Sequence, residues 1–273
     1  MRIRISHEVT HTYAPPARML IQALRLTPHG FDSQYVLSWR ILLDVDSAIR
    51  TSEDAHGNLV STFSHHGAPL ERLTVTAAGE VETGDSAGVV RGAAERLPAE
   101  MYLRDSPLAH VNGALRAFAA EATAGAEDPL DRLHRLMAEL HRTMSFDPFQ
   151  TDDPDSAAEA FALRRGRARD FANIFIACAR ALHAPARFVA GYRTAEEAGG
   201  EPGAHAWAEA HVPRLGWVAF DPTACICADA GYVRVAVGFD ARDARFVSAA
   251  HGMSDDTVES VIRVEQAGFQ TQA

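Results

Sequence analysis

One continuous stretch, Gly166-Arg-Ala-Arg-Asp-Phe-Ala-Asn-Ile-Phe-Ile-Ala-Cys-Ala-Arg-Ala-Leu182, decides how the rest of the chain is interpreted. Its apolar residues recur at intervals of three and four, which is the period of one face of an α-helix. The residues of this face are Phe171, Ile174, Phe175, Cys178 and Leu182. Beyond Pro185 the period changes to two, which predicts strands. The predicted strands are 187–192, 206–212, 217–221, 232–237 and 258–264.

Three more helices are predicted before this one, each from a start signal. Ser106-Pro107 and Asp128-Pro129 each combine a capping residue with proline at the first helical position. Ser156 with Glu159 forms a capping-box pattern that opens a short third helix. Helices followed by antiparallel strands indicate an α+β domain, which we place at 99–273.

The first third of the chain has a different pattern. Apolar and polar residues alternate from Ile3 onward. Separate short strands are predicted at 24–26, 59–63 and 73–77, and a long strand is predicted at 35–45. Scattered Gly, Ala and Ser predict a linker at 84–98. The sequence therefore predicts an N-terminal antiparallel β domain over 1–98.

Composition excludes several classes of protein. The 273 residues are 47% hydrophobic and 23% charged, which is typical of a globular chain with a sizeable core. The net charge of −10 argues against nucleic-acid and anionic-membrane partners, because both require Lys and Arg to neutralise phosphate. No N-terminal apolar run suits a signal peptide, so we expect a cytoplasmic protein. Nothing in the sequence indicates a cofactor or an oligomeric state.

Three segments in a fixed order carry a family resemblance. Gly166-Arg-Ala-Arg-Asp-Phe171 opens a helix, His205-Ala-Trp207 lies on a strand, and Gly216-Trp-Val-Ala-Phe-Asp-Pro-Thr223 lies on the next. Together with Leu37-Ser-Trp-Arg40 and Tyr232-Val-Arg-Val-Ala-Val-Gly238, they resemble the transglutaminase-like superfamily, in particular its bacterial cysteine-peptidase branch. This resemblance spans nearly the whole chain. It implies a papain/transglutaminase-like core of helices and antiparallel sheet behind an N-terminal β domain.

The resemblance also implies a site. In the family a cysteine at the helix start is the nucleophile, a histidine is the base and an aspartate orients the histidine. Matching the motifs gives His205 as the base and Asp221 as the orienting residue, with Trp207 and Trp217 walling the acyl site. The family pattern Gly-x-Cys-x-Asp-Phe places its cysteine where this sequence has Ala168.

The cysteines that are present do not replace the missing thiol. Cys178 lies ten residues along the same helix, which is about 15 Å at 1.5 Å per residue, and belongs to its apolar face. Cys225 and Cys227 follow Asp221 in a predicted loop, and a Cys-x-Cys pair without two more ligands is a weak metal signal. His65 with His66, and His134 with His141, also lack a third ligand, so no metal site is predicted.

Two explanations of Ala168 remain open, an engineered Cys→Ala change and a natural loss. Arg167, Arg169 and Asn173 also depart from the family pattern, and several departures together favour natural loss. The leading hypothesis is a catalytically inactive binding or scaffolding protein. The alternative is a cysteine amidohydrolase or peptidase, acting through a thioester and represented here by a disabled variant. A weaker third hypothesis makes His205 and Asp221 a general acid/base pair without covalent catalysis.

Four arginines, Arg164, Arg165, Arg167 and Arg169, crowd the start of the helix, whose N-terminal partial charge is already positive. One interpretation pairs them with the acidic run of Asp152, Asp153, Asp155 and Glu159. The other makes Arg167, Arg169 and the helix N–H groups a binding site for a carboxylate or phosphate. We expect a peptide or small acyl-amide ligand, which is anionic under the second interpretation.

Overall fold

The computed structural model describes residues 1–194, 202–251 and 255–267. Within these ranges the chain forms two six-stranded sheets, one short parallel pair of strands and four α-helices. The strands are β1 (Arg2–Thr27), β2 (Gln34–Leu43), β3 (Arg50–Glu53), β4 (Leu59–Thr83), β5 (Val89–Val90), β6 (Ser145–Phe146), β7 (Arg165–Gly166), β8 (Ala186–Arg193), β9 (Gly203–Val212), β10 (Gly216–Asp221), β11 (Ile226–Cys227), β12 (Tyr232–Gly238), β13 (Val247–His251) and β14 (Asp255–Gln266). The helices are α1 (Gly113–Ala122), α2 (Pro129–Thr143), α3 (Ala157–Leu163) and α4 (Ala168–Ala181), with a 3-10 helix at Ala99–Leu103.

The first sheet is built on two long strands, β1 and β4, which pair antiparallel over most of their length. Alternate side chains such as Ile3, Ile5 and Leu24 are buried against the core. The sequence predicts separate short strands at 24–26, 59–63 and 73–77, and this is wrong. Each segment continues into one strand, because shifts of register between Thr12 and Ala17 accommodate the polar and proline residues between them.

The end of the chain returns to the first sheet. β13 pairs with the second half of β1, and β14 pairs with its first half. Residues 255–266 therefore complete the N-terminal sheet, although the sequence assigns them to the α+β domain. In the same way β5, which lies inside the predicted linker, pairs with β10 of the second sheet.

The second sheet, in the order β11-β10-β9-β8-β12, carries α4 on one face. α4 is almost wholly buried between this sheet and the other three helices. The structure thus confirms the α+β class, a core of helices on an antiparallel sheet. No described helix is long and apolar enough to cross a membrane.

Two of the three predicted helix starts before α4 are confirmed. α2 begins at Pro129, where Asp128 accepts a hydrogen bond from Asp131 N–H at 2.9 Å, and α3 begins after its cap Ser156. The start predicted at Ser106-Pro107 is wrong, because α1 begins at Gly113 with Asn112 as its cap.

Two side-chain amides, Gln34 on β2 and Asn58 in the turn before β4, cap the edge of the second sheet. The Gln34 amide bonds the backbone C=O and N–H of Arg234 at 2.9 and 2.8 Å. The Asn58 amide bonds the C=O and N–H of Val237, both at 2.7 Å. Both amides are buried, so they satisfy backbone groups of β12 that water does not reach. They substitute for a neighbouring strand and fasten the two sheets together.

We expect Asn58→Ala to lower the free energy of unfolding by at least about 2 kcal/mol, because it leaves the buried N–H and C=O of Val237 without partners. Urea denaturation followed by fluorescence measures the change. Ser52→Ala, on the exposed strand β3, is the control and should stay within about 0.5 kcal/mol of the parent. Equal stabilities of the two variants would contradict this account.

His7 is a second link between distant parts of the chain. Its Nδ1 lies 2.9 Å from the Tyr192 hydroxyl on β8, and its Nε2 lies 2.8 Å from Ser260 Oγ on β14. Burial lowers the pKa of His7 to about 4. The imidazole is therefore neutral in the folded protein at neutral pH.

Stability should fall as the pH decreases from about 6.5 to 4, because the unfolded chain protonates His7 in this window while the folded protein does not. The loss attributable to His7 is on the order of 3 kcal/mol. Urea denaturation across this pH range should show a shallower slope for His7→Gln. His66→Gln, at an exposed position, should keep the parent slope. An unchanged slope in His7→Gln would refute this assignment.

Candidate active-site cleft

The start of α4 is held in place by a close contact between glycine and aspartate. Asp170 Oδ2 accepts a hydrogen bond from Arg167 N–H at 2.9 Å and so caps the helix. A Cβ on Gly166 would lie 2.9 Å from Asp170 Cβ, which is closer than side chains tolerate. Glycine at this position therefore allows Asp170 to cap the helix, and Ala168 becomes the first helical residue.

His205 and Asp221 come together from the neighbouring antiparallel strands β9 and β10. Their side chains are hydrogen-bonded, with His205 Nε2 at 2.7 Å from Asp221 Oδ2. The same oxygen accepts from the Tyr232 hydroxyl at 2.7 Å. Asp221 Oδ1 accepts from Thr223 N–H at 2.9 Å and from Thr223 Oγ1 at 2.6 Å.

These hydrogen bonds decide the charge of Asp221. Burial raises the pKa of this carboxyl, but the hydrogen bonds from His205, Thr223 and Tyr232 outweigh burial and hold the pKa at about 2. Asp221 is therefore ionised at neutral pH and fixes the orientation of the His205 ring through Nε2. The other ring nitrogen, Nδ1, is left available to a reacting group or ligand.

Sequence reasoning missed Thr223 and Tyr232. The Asp-Pro-Thr order could have indicated Thr223, because an aspartate side chain commonly accepts from the N–H two residues on. Tyr232 had no such local signal. It reaches Asp221 only because β12 folds back beside β8 in the same sheet.

A cleft of about 790 Å³ opens at the start of α4. Ala168 and His205 both line it, as do Arg167 and Arg169. Four of the residues predicted for the site are thus brought to one cleft, with Asp221 bonded to His205. The roles predicted for them stay predictions.

The two tryptophans do not line this cleft, so the expectation that they wall it is wrong. Trp207 is buried beside the His205 ring, with the ring centroids 6.4 Å apart, and packs edge-on against Tyr232 at 5.3 Å. Trp217 lies 3.8 Å from the Arg187 guanidinium, which stacks over its ring. It comes four residues before Asp221, about 13 Å along an extended strand, which removes it from the site.

None of the three cysteines lines the cleft. Cys178 is buried in the core, where burial raises the pKa of its thiol to about 12. Cys227 Sγ lies 3.4 Å from His134 Nε2, and burial raises the pKa of both Cys225 and Cys227. Over the described residues, no group of three or more His, Cys, Asp or Glu side chains could hold a metal ion.

The arginines at the start of α4 pair with the acidic loop before it. Arg165 lies 2.7 Å from Asp152, and Arg167 lies 2.7 Å from Asp153. Arg169 also pairs with Asp153. Arg164 instead lies 4.0 Å from the centre of the Phe161 ring. Three of the four arginines thus pair with two acidic residues of the predicted run, so the geometry agrees with the first interpretation only in part.

Family models match both parts of the chain. Residues 116–222 match the transglutaminase-like superfamily, and residues 3–82 match the bacterial transglutaminase-like N-terminal region. Over these two ranges the chain belongs to the transglutaminase-like superfamily and to the N-terminal region of its bacterial members.

Relatives and a solved structure are similar to this chain over nearly its full length. Uncharacterized protein Rv2569c of Mycobacterium tuberculosis is 26% identical, over 89% of this chain and 85% of its own. Uncharacterized protein ML0607 of Mycobacterium leprae is 27% identical, over 96% of this chain and 99% of its own. The solved structure, from Cytophaga hutchinsonii and described as "a Putative Cysteine Protease", covers 99% of this chain and 92% of that one, with a TM-score of 0.77 and 20% identity. This likeness shows a shared fold.

Tyr232→Phe removes one hydrogen bond to the buried charge of Asp221 and should lower the free energy of unfolding at pH 7 by about 1.5–3 kcal/mol. Urea denaturation measures the loss. Tyr35→Phe changes a tyrosine that is 61% exposed and should have little effect. If both variants matched the parent, the Tyr232 hydroxyl would not stabilise the Asp221 carboxylate.

Proposed function

We propose that this transglutaminase-like protein binds a peptide or small acyl-amide ligand in the cleft without forming a thioester. It acts as an inactive binding or scaffolding member of the superfamily. The observation that carries the proposal is the position of Ala168, which lines the same cleft as His205 at the first turn of α4. A methyl group there has no lone pair with which to attack a carbonyl carbon.

The groups that surround Ala168 can still recognise an amide. The first N–H groups of a helix have no partner within the helix, so those of α4 can donate to a carbonyl oxygen. The His205 ring, fixed by Asp221, offers a second polar contact. Phe146 and Phe149 supply apolar surface on the same cleft. Such a mixture of apolar lining and a few polar groups is typical of small-ligand sites.

A second candidate is a cysteine amidohydrolase or peptidase whose native residue at position 168 is cysteine. The intact pairing of His205 with the ionised Asp221 favours it. A thiolate there would attack the amide carbon, and His205 would give a proton to the departing amine. Water would then attack the thioester, release the acid and restore the thiol. The codon at position 168 in the encoding gene distinguishes the two candidates.

Ala168→Cys tests both. We expect its new thiol to react with iodoacetamide at pH 6–7 at least tenfold faster than the thiol of Ala241→Cys, because a helix N-terminus and a nearby imidazole lower a thiol pKa. Ala241 lines the same cleft but lies outside α4 and so serves as the matched control. Peptide mapping by mass spectrometry separates the new thiol from the three native ones. Adding His205→Ala should slow the reaction.

Turnover of N-acyl aminocoumarin amides then decides between the candidates. Our proposal predicts a reactive thiol in Ala168→Cys without turnover, because the surrounding residues have also changed. Restored turnover would instead support the cysteine hydrolase. Amide hydrolysis by the Ala168 protein itself, abolished by His205→Ala, would contradict both candidates.

A further inference from the structure

The lining of the cleft has an unusual charge. Its residues include five arginines and no aspartate or glutamate among the described residues. The arginines are Arg167, Arg169, Arg193, Arg242 and Arg245. The whole chain carries a net charge of −10, so this concentration of positive charge runs against the overall balance. A cleft lined by one sign of charge attracts ligands of the other sign.

Two of these arginines, Arg242 and Arg245, have no ion pair within the described part of the chain. Arg167 and Arg169 both pair with Asp153 and also lie 3.9 and 3.4 Å from Asp170, and Arg193 lies 3.7 Å from Asp221. The arginines of the cleft without an ion pair therefore lie on the segment that follows β12, and not at the start of α4, where one interpretation of the sequence places an anion site.

The turn that carries these two arginines is firmly built. Arg245 N–H donates to the Arg242 carbonyl at 3.4 Å, so one turn of backbone brings the two residues close together. The carboxylates of Asp240 and Asp243 lie close to the two arginines in sequence, but both accept hydrogen bonds from backbone N–H groups. Asp240 accepts hydrogen bonds from the N–H groups of Arg242 and Leu108 at 2.9 and 3.0 Å. Asp243 accepts a hydrogen bond from Phe239 N–H at 3.0 Å.

The turn is also anchored to the core. The buried Arg180 guanidinium donates to the Phe239 carbonyl at 2.6 Å and to Ser106 Oγ at 3.1 Å. Ala244, between the two arginines, is buried. The guanidinium groups of Arg242 and Arg245 are thus exposed on a rigid base, which lowers the entropic cost of holding a ligand.

A second, polar cavity adjoins this turn. Arg242 and Arg245 also line this space of about 100 Å³, together with Asn173 and three acidic residues, Asp153, Asp155 and Asp170. The Asn173 side chain is 4% exposed, and its amide oxygen has no hydrogen-bond partner among the described residues. An amide oxygen accepts hydrogen bonds, so this buried group calls for a donor, which is either water or an N–H or O–H group of a ligand.

We propose that Arg242 and Arg245 form an anion-binding subsite that holds a carboxylate or phosphoryl group of the ligand. Two guanidinium groups match such a group by charge-assisted hydrogen bonds. Phe146 and Phe149, which are 42% and 77% exposed, line the same cleft and contact the apolar part of the ligand. The inference rests on the proposed function for the location of the acyl-amide group beside Ala168, but the subsite itself is tested independently.

Isothermal titration calorimetry at low salt tests the subsite with three probes, inorganic phosphate, N-acetylglutamate and the neutral N-acetylglutamine. We expect phosphate or N-acetylglutamate to bind at least tenfold more tightly than N-acetylglutamine. Arg242→Gln combined with Arg245→Gln should weaken that binding at least tenfold. Arg116→Gln combined with Arg214→Gln removes the same charge at exposed positions outside the cleft and should change the affinity less than twofold.

The outcomes separate the ligand sources. Selective binding of phosphate supports a phosphoryl ligand, and selective binding of N-acetylglutamate supports an acidic peptide or acyl amino acid. Failure of both anions to bind would overturn the proposal, as would equal affinity in the Arg242/Arg245 variant and its control, with thermal melts showing that both are folded. Restored amide turnover in Ala168→Cys with intact anion binding would remove the proposed function alone.

Discussion

The ionised carboxylate of Asp221 is the constraint on which the arrangement of the site depends. A buried charge is costly unless it is fully hydrogen-bonded, and its donors come from β9, β12 and the loop after β10. Satisfying this one group therefore aligns three parts of the second sheet. Since His205 is one of the donors, its ring orientation follows from the solvation of Asp221 and needs no thiol at the start of α4.

Side chains alternate along β9, so Trp207 and Glu209 lie on the same face of the strand as His205. Glu209 is fully buried between Arg187 and Arg234, with contacts of 2.6 and 2.7 Å. Burial raises its pKa, but the two arginines outweigh burial and hold the pKa at about 2. This network ties β9 to β8 and β12, and Gln34 fixes Arg234 from the first sheet. Glu209 therefore anchors the face of β9 that carries His205, with the buried Trp207 packed between the two.

Local patterns predicted the parts of this structure that depend on local physics. The apolar period of α4, the caps Asp128 and Ser156, and the adjacency of His205 and Asp221 on neighbouring strands all follow from short segments or from motif resemblance. Long-range pairings were not predictable from alternation alone, so the length of β1 and the return of β14 to it were missed. Tyr232 and the Arg242–Arg245 turn were missed for the same reason, because each joins the site only through the fold.

The central claim is that the cleft retains its polar groups but cannot form an acyl-enzyme. Mass spectrometry of the unaltered protein, both intact and after proteolysis, following incubation with an activated acyl ester, tests this most directly. We predict no adduct on the peptide that contains Ala168 and no His205-dependent release of the leaving group. A covalent acyl adduct in this protein that disappears in His205→Ala would contradict the account.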